Sequence, residues 1–576
     1  MIKKYVSPLK GQIIKNMVIK ITGTLLEVLL PVILAHIVDR VTPTKDVNGI
    51  VMWGIIMLLL AIAAWYMNVV ANRMASRSAS IAIQNIRQDL FERSMTLSAR
   101  QIDKLTISSL ESRLTSDTYA VHSFLGATLR MGLRSIILFL GGVIFSVYLS
   151  PRLSLVLVLL ILPLFILVRF IFSRAHPLFR KLQLRLDDMV QVIRENIRGI
   201  KVSKAMDKVD YEKDRYAQVN ESVKDVEIKT VDQMAMMSPM VNTILYGGLS
   251  VVLIWAAYLI DKDLLKLGVV MAYLSYFIQI TNSLMMMNRM FNMYNRAQAS
   301  VTRIEEVVNL PMDENQIHEG LEELPEKNIA VPEIEFRNVT FSYLGVRDNA
   351  IDISFKLYSG QTLGIMGATG SGKSTIIRLL LRQYDIDQGQ ILIRGIDIRK
   401  LKKEAINKMI GIVFQNDFLF KGTIKDNIDF GRRLDDLAML DASDHAQARE
   451  FIDTKEGNLE FELASRGVNL SGGQKQRLLI TRALASKAEI LIFDDSSSAL
   501  DFETEQKFRK ALEENYNNTT KIIVAQRISS VINAEEIIFL EDGKIIARGR
   551  HEDLLETCQP YQEIAQMQMG LDVKEG

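Results

Sequence analysis

The chain has 576 residues, 48% hydrophobic and 24% charged, with a net charge of +2 and one cysteine, Cys558. That length suits two large domains rather than one, the near-neutral charge gives a nucleic-acid polyanion no footing, and a lone cysteine excludes an internal disulfide framework and fits a reducing, cytosolic face. A mean hydropathy of +0.13 beside so many charges is what averaging a membrane half with a soluble half produces.

The basic start MIKKYVSPLKGQIIKN runs into a long apolar stretch without a small-x-small cleavage site. It reads as a retained membrane helix behind a short amphipathic lead-in. A bilayer core of roughly 30 Å needs about 20 helical residues. Six runs of suitable character follow, at 14–38, 50–70, 135–149, 153–172, 241–260 and 264–287, the third extending back past Arg134. Short connections join the first to the second, the third to the fourth and the fifth to the sixth. The segments 72–134 and 173–240 are long, rich in Lys and Arg and poor in breakers. Positive loops stay inside, so both segments and the N-terminus face the cytoplasm as helices prolonged beyond the bilayer. An acidic stretch holding Pro311, Gly320, Pro325 and Pro332 marks a linker at 309–332. It separates a membrane domain, 1–308, from an α/β domain, 333–576, in which strand-like runs (IEFRNVTFSY, EILIFDD, KIIVAQ) alternate with helices.

Two motifs carry the chemistry. Residues 367–375 read GATGSGKST, a glycine-rich loop opening a helix whose backbone N–H groups cradle phosphates. Residues 470–474 read LSGGQ, a serine and two glycines at a helix start, suited to receive a phosphate from another subunit. Together with a strand ending in the acids Asp494 and Asp495, and with six apolar runs, they describe an ATP-powered membrane machine.

On these motifs, in this order and over essentially the whole length, the chain resembles ATP-binding cassette (ABC) exporters of the half-transporter kind. The resemblance implies a membrane all-α six-helix transporter domain followed by an α/β P-loop nucleotide-binding domain, in a cell (plasma or inner) membrane with the latter domain cytoplasmic. It implies ATP and Mg²⁺ held by Gly367, Thr369, Gly370, Ser371, Gly372, Lys373, Ser374 and Thr375. Tyr343 matches the aromatic that stacks on adenine, Lys373 the lysine on the β- and γ-phosphates, and Ser374, Gln415 and Asp494 the metal-binding positions. Ser498–Asp501 matches the D-loop. In such exporters two nucleotide domains stack head to tail, so Ser471, Gly473 and Gln474 would act in trans on a partner's nucleotide. Short coupling helices are expected near 105–111 and 208–216.

Three positions depart from the family pattern. Asp495 stands where a catalytic glutamate is usual, Gln526 where a switch histidine is usual, and Ser465 where a glutamate precedes the signature. Aspartate is one methylene shorter, and a misplacement of about 1 Å can cost about 10²-fold in rate. Glutamine cannot carry positive charge towards the γ-phosphate. The expectation is a site that binds ATP and hydrolyses it poorly, in a heterodimer whose second ABC half-transporter brings an intact Walker B glutamate and switch histidine. The alternative is a homodimer in which aspartate serves.

For the transported molecule, Glu27 lies mid-span in the first membrane run, where an acid costs about 2.5–3.5 kcal/mol and must face a cavity or a partner charge. Contact with a cationic substrate and a structural ion pair are both open. Methionines at 234–240 and 285–293 suit a promiscuous apolar surface or simply fill helices. Gln279, Asn282 and Asn288 are further candidates for the cavity. The leading expectation is export of amphipathic or drug-like molecules across membrane lipid. The rivals are a lipid, peptide or siderophore substrate, including import, and a nucleotide-gated channel.

Overall fold

A computed structural model describes residues 2–311, 321, 324–343, 345, 348–415, 417–497 and 499–569. Most of the expected linker and Ser498 of the expected D-loop lie outside the described residues, as does the side chain of Asn288. The chain divides into two units: Met1–Phe91 with Glu111–Asn309, and Glu92–Leu110 with Leu310–Gly576. The second unit therefore takes in a short segment from within the helical half.

Helices α1 (Ile2–Val6), α2 (Lys10–His36), α3 (Val47–Met95), α4 (Ala99–Leu105), α5 (Ile107–Ser112), α6 (Thr118–Ala127), α7 (Leu133–Leu149), α8 (Pro151–Ala205), α9 (Val209–Ala235), α10 (Met237–Asp261) and α11 (Leu267–Val308) follow in order. Among the described residues five helical runs are long and apolar enough to cross a membrane. The span expected at 153–172 lies in α8, helical along all 55 residues, or about 80 Å at 1.5 Å per residue. Only 6% of the apolar window of α3 is buried, and Leu58, Leu59 and Trp65 stand exposed, as on a lipid-facing helix. The third run is continuous with the helix before it, from Ile107 to Leu149.

Small residues and caps assemble this first unit. A Cβ on Gly141 would lie 3.0 Å from Val28, and one on Gly142 would lie 2.7 Å from Ile280, so α7 approaches α2 and α11 closely. Buried Tyr276 donates to the Val28 carbonyl at 2.6 Å, and buried Tyr273 to the Leu153 carbonyl at 2.8 Å. Asp39 accepts from the Gly268 and Val269 N–H groups at 2.6 and 3.0 Å, satisfying orphan donors where α11 begins. Towards the other end of α11, buried Asp117 accepts from Arg303 Nε and Ser300 Oγ, both at 2.8 Å.

Beginning within Glu92–Leu110 of the second unit, α5 (Ile107–Ser112) overlaps the coupling helix expected near 105–111, and it is preceded by the short helix α4, at Ala99–Leu105. The start of α4 is set by a capping box in which Ser98 and Gln101 bond each other's backbone N–H. At 208–216 there is no separate short helix. The chain turns at Met206–Lys208, with Asp207 at φ 52°, and α9 begins at once.

Strands β1 (Ile334–Phe341), β2 (Ala350–Leu357), β3 (Thr362–Gly367), β4 (Gln388–Ile393), β5 (Ile396–Asp397), β6 (Ile410–Val413), β7 (Gly422–Thr423), β8 (Glu462–Leu463), β9 (Ile490–Asp494), β10 (Thr520–Val524), β11 (Glu536–Glu541) and β12 (Lys544–Gly549) form three sheets. The largest has the order β12-β11-β3-β10-β9-β6. Its inner strands are parallel and β12 is an antiparallel edge. Both faces of β9 are covered, all five residues being buried, which is why ILIFD reads as a continuous apolar run. A four-stranded antiparallel sheet, β2-β1-β4-β5, packs Phe336, Phe341 and Phe355 into the same core as Ile365 and Ile492. The helix α12 (Lys373–Leu380) follows β3.

Candidate nucleotide site

The carboxyl ends of β3, β9 and β10 converge at one edge of the parallel sheet, where open α/β sheets place their ligands. β3 delivers Gly367 at φ +142°, with a Cβ position 2.1 Å from the Leu540 carbonyl oxygen, so any side chain would collide with backbone. The loop then turns through Gly370 and Gly372, both at positive φ, into α12. This aims the amides of its first turn at the space above the sheet.

That space is a cleft of about 250 Å³ lined by Tyr343, Asn349, Thr369, Gly370, Gly372, Lys373, Ser374, Thr375, Arg378, Gln415, Asp494, Asp495, Val524, Ala525 and Gln526. Lys373 Nζ donates to the Gly367 and Ala368 carbonyls, both at 2.8 Å. Burial lowers its pKa, against the pull of Asp495 and Asp494. Ser374 Oγ donates to Asp494 Oδ1 at 3.2 Å. Burial pushes the Asp494 carboxyl up and the Asp495 charge adds to this, while the Ser374 bond, Arg378 and Lys373 pull the other way. A serine hydroxyl, this carboxylate and the nearby Gln415 amide offer hard oxygen donors suited to Mg²⁺ beside a phosphate. Behind the loop, Ser371 has a buried hydroxyl oxygen with no hydrogen-bond partner among the described residues.

Asp495 sits at φ 51° just after β9, its N–H held by the Val524 carbonyl at 2.9 Å. Two amides converge on its Oδ2: Gln415 Nε2 at 3.2 Å and Gln526 Nε2 at 3.4 Å. At the other end of the cleft, Tyr343 packs edge-on against Phe341 and Tyr384, at 4.9 and 5.0 Å between ring centres. Its hydroxyl donates to Thr375 Oγ1 at 3.3 Å.

Ser471, Gly473 and Gln474 do not line this cleft. They open the helix Gly472–Leu484, where Ser471 and Gln474 form a reciprocal capping box. Ser471 is exposed, and a Cβ on Gly473 would meet the Ala499 carbonyl at 3.3 Å. Ser465 lies in a short turn upstream, Ser465–Gly467.

Four lining residues, Asn349, Arg378, Val524 and Ala525, were not among those expected from the sequence, the last two being the backbone that leads into Gln526. Arg378 follows Thr375 by three positions, one turn along the same helix face, and that spacing from the P-loop was the available signal. Asn349 sits in an irregular loop and accepts from the Tyr343 N–H at 3.3 Å, with no comparable signal.

In the helical unit, Glu27 on α2 receives two bonds from Arg134 on α7, Nη2 to Oε1 at 2.7 Å and Nε to Oε2 at 3.3 Å. Gln279 and Asn282 lie one turn apart on α11. Asn282 is exposed, and the Gln279 Oε1 is enclosed without a hydrogen-bond partner among the described residues.

Residues 13–284 match the family described as ABC transporter transmembrane region, and residues 351–498 match ABC transporter. An uncharacterized ABC transporter ATP-binding protein of Mycobacterium tuberculosis is 32% identical, over 99% of this chain and 98% of its own. YfiB of Bacillus subtilis, another uncharacterized ABC transporter ATP-binding protein, is also 32% identical, over 97% and 96%. An ATP-dependent lipid A-core flippase of Escherichia coli is 29% identical over 91% and 90%. A bacterial Atm1-family ABC exporter solved with ATP bound superimposes with a TM-score of 0.79 at 22% identity, covering 98% of this chain and 99% of that one.

Proposed function

Since this chain belongs to the ABC transporter family, we propose that it is the slow-hydrolysing subunit of a heterodimeric exporter, moving amphipathic molecules out across the membrane. It is an exporter half-transporter and a multi-pass membrane protein with a cytoplasmic nucleotide-binding domain, and its ATPase domain takes ATP with Mg²⁺ to drive export.

The observation that carries the finer reading is the state of Asp495. A general base must reach the proton it abstracts. Here a carboxylate one methylene shorter than glutamate has one oxygen held by two side-chain amides. Gln526 completes that clasp and brings no charge to the γ-phosphate end. Tyr343, Lys373, Thr375 and the loop glycines form a nucleotide cradle. Ser374 and Asp494, with Gln415, would hold Mg²⁺, which neutralises phosphate charge when bound. Binding is thus provided for and the hydrolytic base is not. Ser471, Gly473 and Gln474, outside the chain's own cleft, are assigned to the partner's nucleotide, so that closure of the pair around ATP opens the transport path outward and hydrolysis at the partner's site resets it. The functional division is assigned at 1–308, 309–332 and 333–576, with the segment at α4 working alongside the last.

The test is ATP turnover by the purified chain alone in lipid nanodiscs. Asp495→Glu combined with Gln526→His should raise turnover on the order of 10²-fold while leaving ATP affinity unchanged. Vigorous turnover by the unaltered chain, abolished by Asp495→Asn, would refute the reading and restore the homodimeric pump.

A second substrate reading is favoured by charge. The cation expected to meet Glu27 would compete with Arg134. Nearby, Lys20 is buried with its Nζ on Asn72 Oδ1 at 3.0 Å, and Arg130 donates to Ser76 Oγ at 2.9 Å. Both cations rest on neutral oxygens, so these helices suit an anionic amphiphile, as the name of the lipid A-core flippase relative suggests. Gln279 and Asn282 stay assigned to the same path. Stimulation of the assembled pair's ATPase by an anionic but not a cationic amphiphile of equal chain length favours this reading, and the reverse favours cationic drugs.

A further inference from the structure

Arg378 borders the nucleotide cleft, where its charge acts on Asp494. It sits in the second turn of α12, five residues past Lys373, which places it about 7.5 Å along the axis from the phosphate end. It shares a face with Thr375. Its Nη1 donates to the Tyr343 hydroxyl at 3.3 Å, and its Cζ lies 5.9 Å from the centre of the Tyr343 ring. The tyrosine cannot drift away from it. Phe341 and Tyr384 wall its ring edge-on, and Tyr384 is itself tied by its hydroxyl to Asp103 Oδ2 of α4 at 2.7 Å. A planar cation on a long stem thus stands over a fixed aromatic ring, both open to the cleft.

We propose that Arg378 binds the nucleoside end of the nucleotide, its guanidinium covering one face of the base while Tyr343 covers the other. Stacked planes lie about 3.5 Å apart, so a base between them needs about 7 Å between the two planes, and the guanidinium, now hydrogen-bonded at the Tyr343 hydroxyl, must swing over the ring face to bound it. A rotation of the arginine stem supplies that. The entering base replaces the guanidinium–phenol contact with a stack on each side, and guanidinium planes stack well on aromatic faces. The residue is a second cationic contact that reads the base end while Lys373 reads the phosphates. It adds retention to a subunit whose own site turns over slowly.

The experiment separates the two ends of the ligand. The full-length chain in nanodiscs is titrated with Mg-ADP, and in parallel Mg-tripolyphosphate, which has no nucleoside, is bound at the same cleft. Arg378→Asn should weaken Mg-ADP about tenfold and leave tripolyphosphate affinity unchanged. Arg378→Lys, which keeps the charge and loses the plane, should recover only part of the loss. Undisturbed ADP affinity in Arg378→Asn would overturn the assignment. An equal loss of tripolyphosphate affinity would too, because the residue would then act only as diffuse positive charge. Full recovery by lysine would overturn the stack.

Discussion

Asp117 shows how one carboxylate sets a local pH response. Burial works to raise its pKa, but hydrogen bonds from Arg303 and Ser300 outweigh this and hold it below the ordinary carboxylate value. A depressed folded-state pKa gives stability that is complete above the unfolded value, about 3.9, and is lost as pH falls through the folded one. Thermal melts of the detergent-solubilised chain should therefore fall between about pH 5 and pH 3. Asp117→Asn should melt lower at neutral pH and show a flatter acid limb. Identical profiles would show that the contact has no energetic weight. Nothing local in the sequence announces this triad, whose acid lies more than 180 residues from both of its donors. The pair Glu27–Arg134, separated by 107 positions, was hidden for the same reason. An intramembrane acid declares that it needs a partner but not which one. The P-loop was legible because its chemistry resides in backbone conformation, and glycines at fixed spacing advertise that directly. Arg378 was not, because an arginine on an exposed helical turn looks like any solvated charge until the aromatic beside it is seen.

At the level of elements, termini proved more informative than interiors. The short helix α5, Ile107–Ser112, falls on the segment 105–111 expected as a coupling helix, whereas α4 just before it was not expected. The sequence S-x-x-Q at Ser98–Gln101 carried the capping signal all along. The absence of a separate short helix at 208–216 has a different cause. Continuous helical patterning on both sides of Asp207 left room for only a tight turn. Asp39 is the clearest case where a cap joins distant elements, since it closes the first turn of α11 from some 229 positions away. Asp39→Ala should destabilise the helical unit by roughly 1 kcal/mol. Faster amide exchange should be confined to the start of α11 and the segment following α2. Asp39→Asn should retain most of the effect, because an amide oxygen still accepts. Uniform exchange across the bundle would argue against a local cap.

For the molecule as a whole, the expected asymmetry can be read by mixing. The chain co-purified with a half-transporter bearing a Walker B glutamate and switch histidine should turn over ATP at the partner's rate. Ser471→Ala or Gly473→Ala in this chain should abolish that turnover, whereas Lys373→Ala in this chain should reduce it only partly. If Lys373→Ala abolished turnover as fully, the two sites would be equivalent and the asymmetry would be lost. Fold class followed from apolar runs and strand alternation because both are set by local periodicity. The grouping of residues did not follow, because Glu92–Leu110 leaves the helical unit and is returned to it within 19 residues. The hydroxyl of Tyr384, next to the base-binding tyrosine, finds its acceptor on that excursion. A fragment cut at Leu310 would hold every phosphate-binding motif and still lack Asp103, the acceptor that ties Tyr384 in place behind Tyr343. Nucleotide affinities measured on such a fragment would describe a damaged pocket, and supplying Glu92–Leu110 as a separate peptide should mend it.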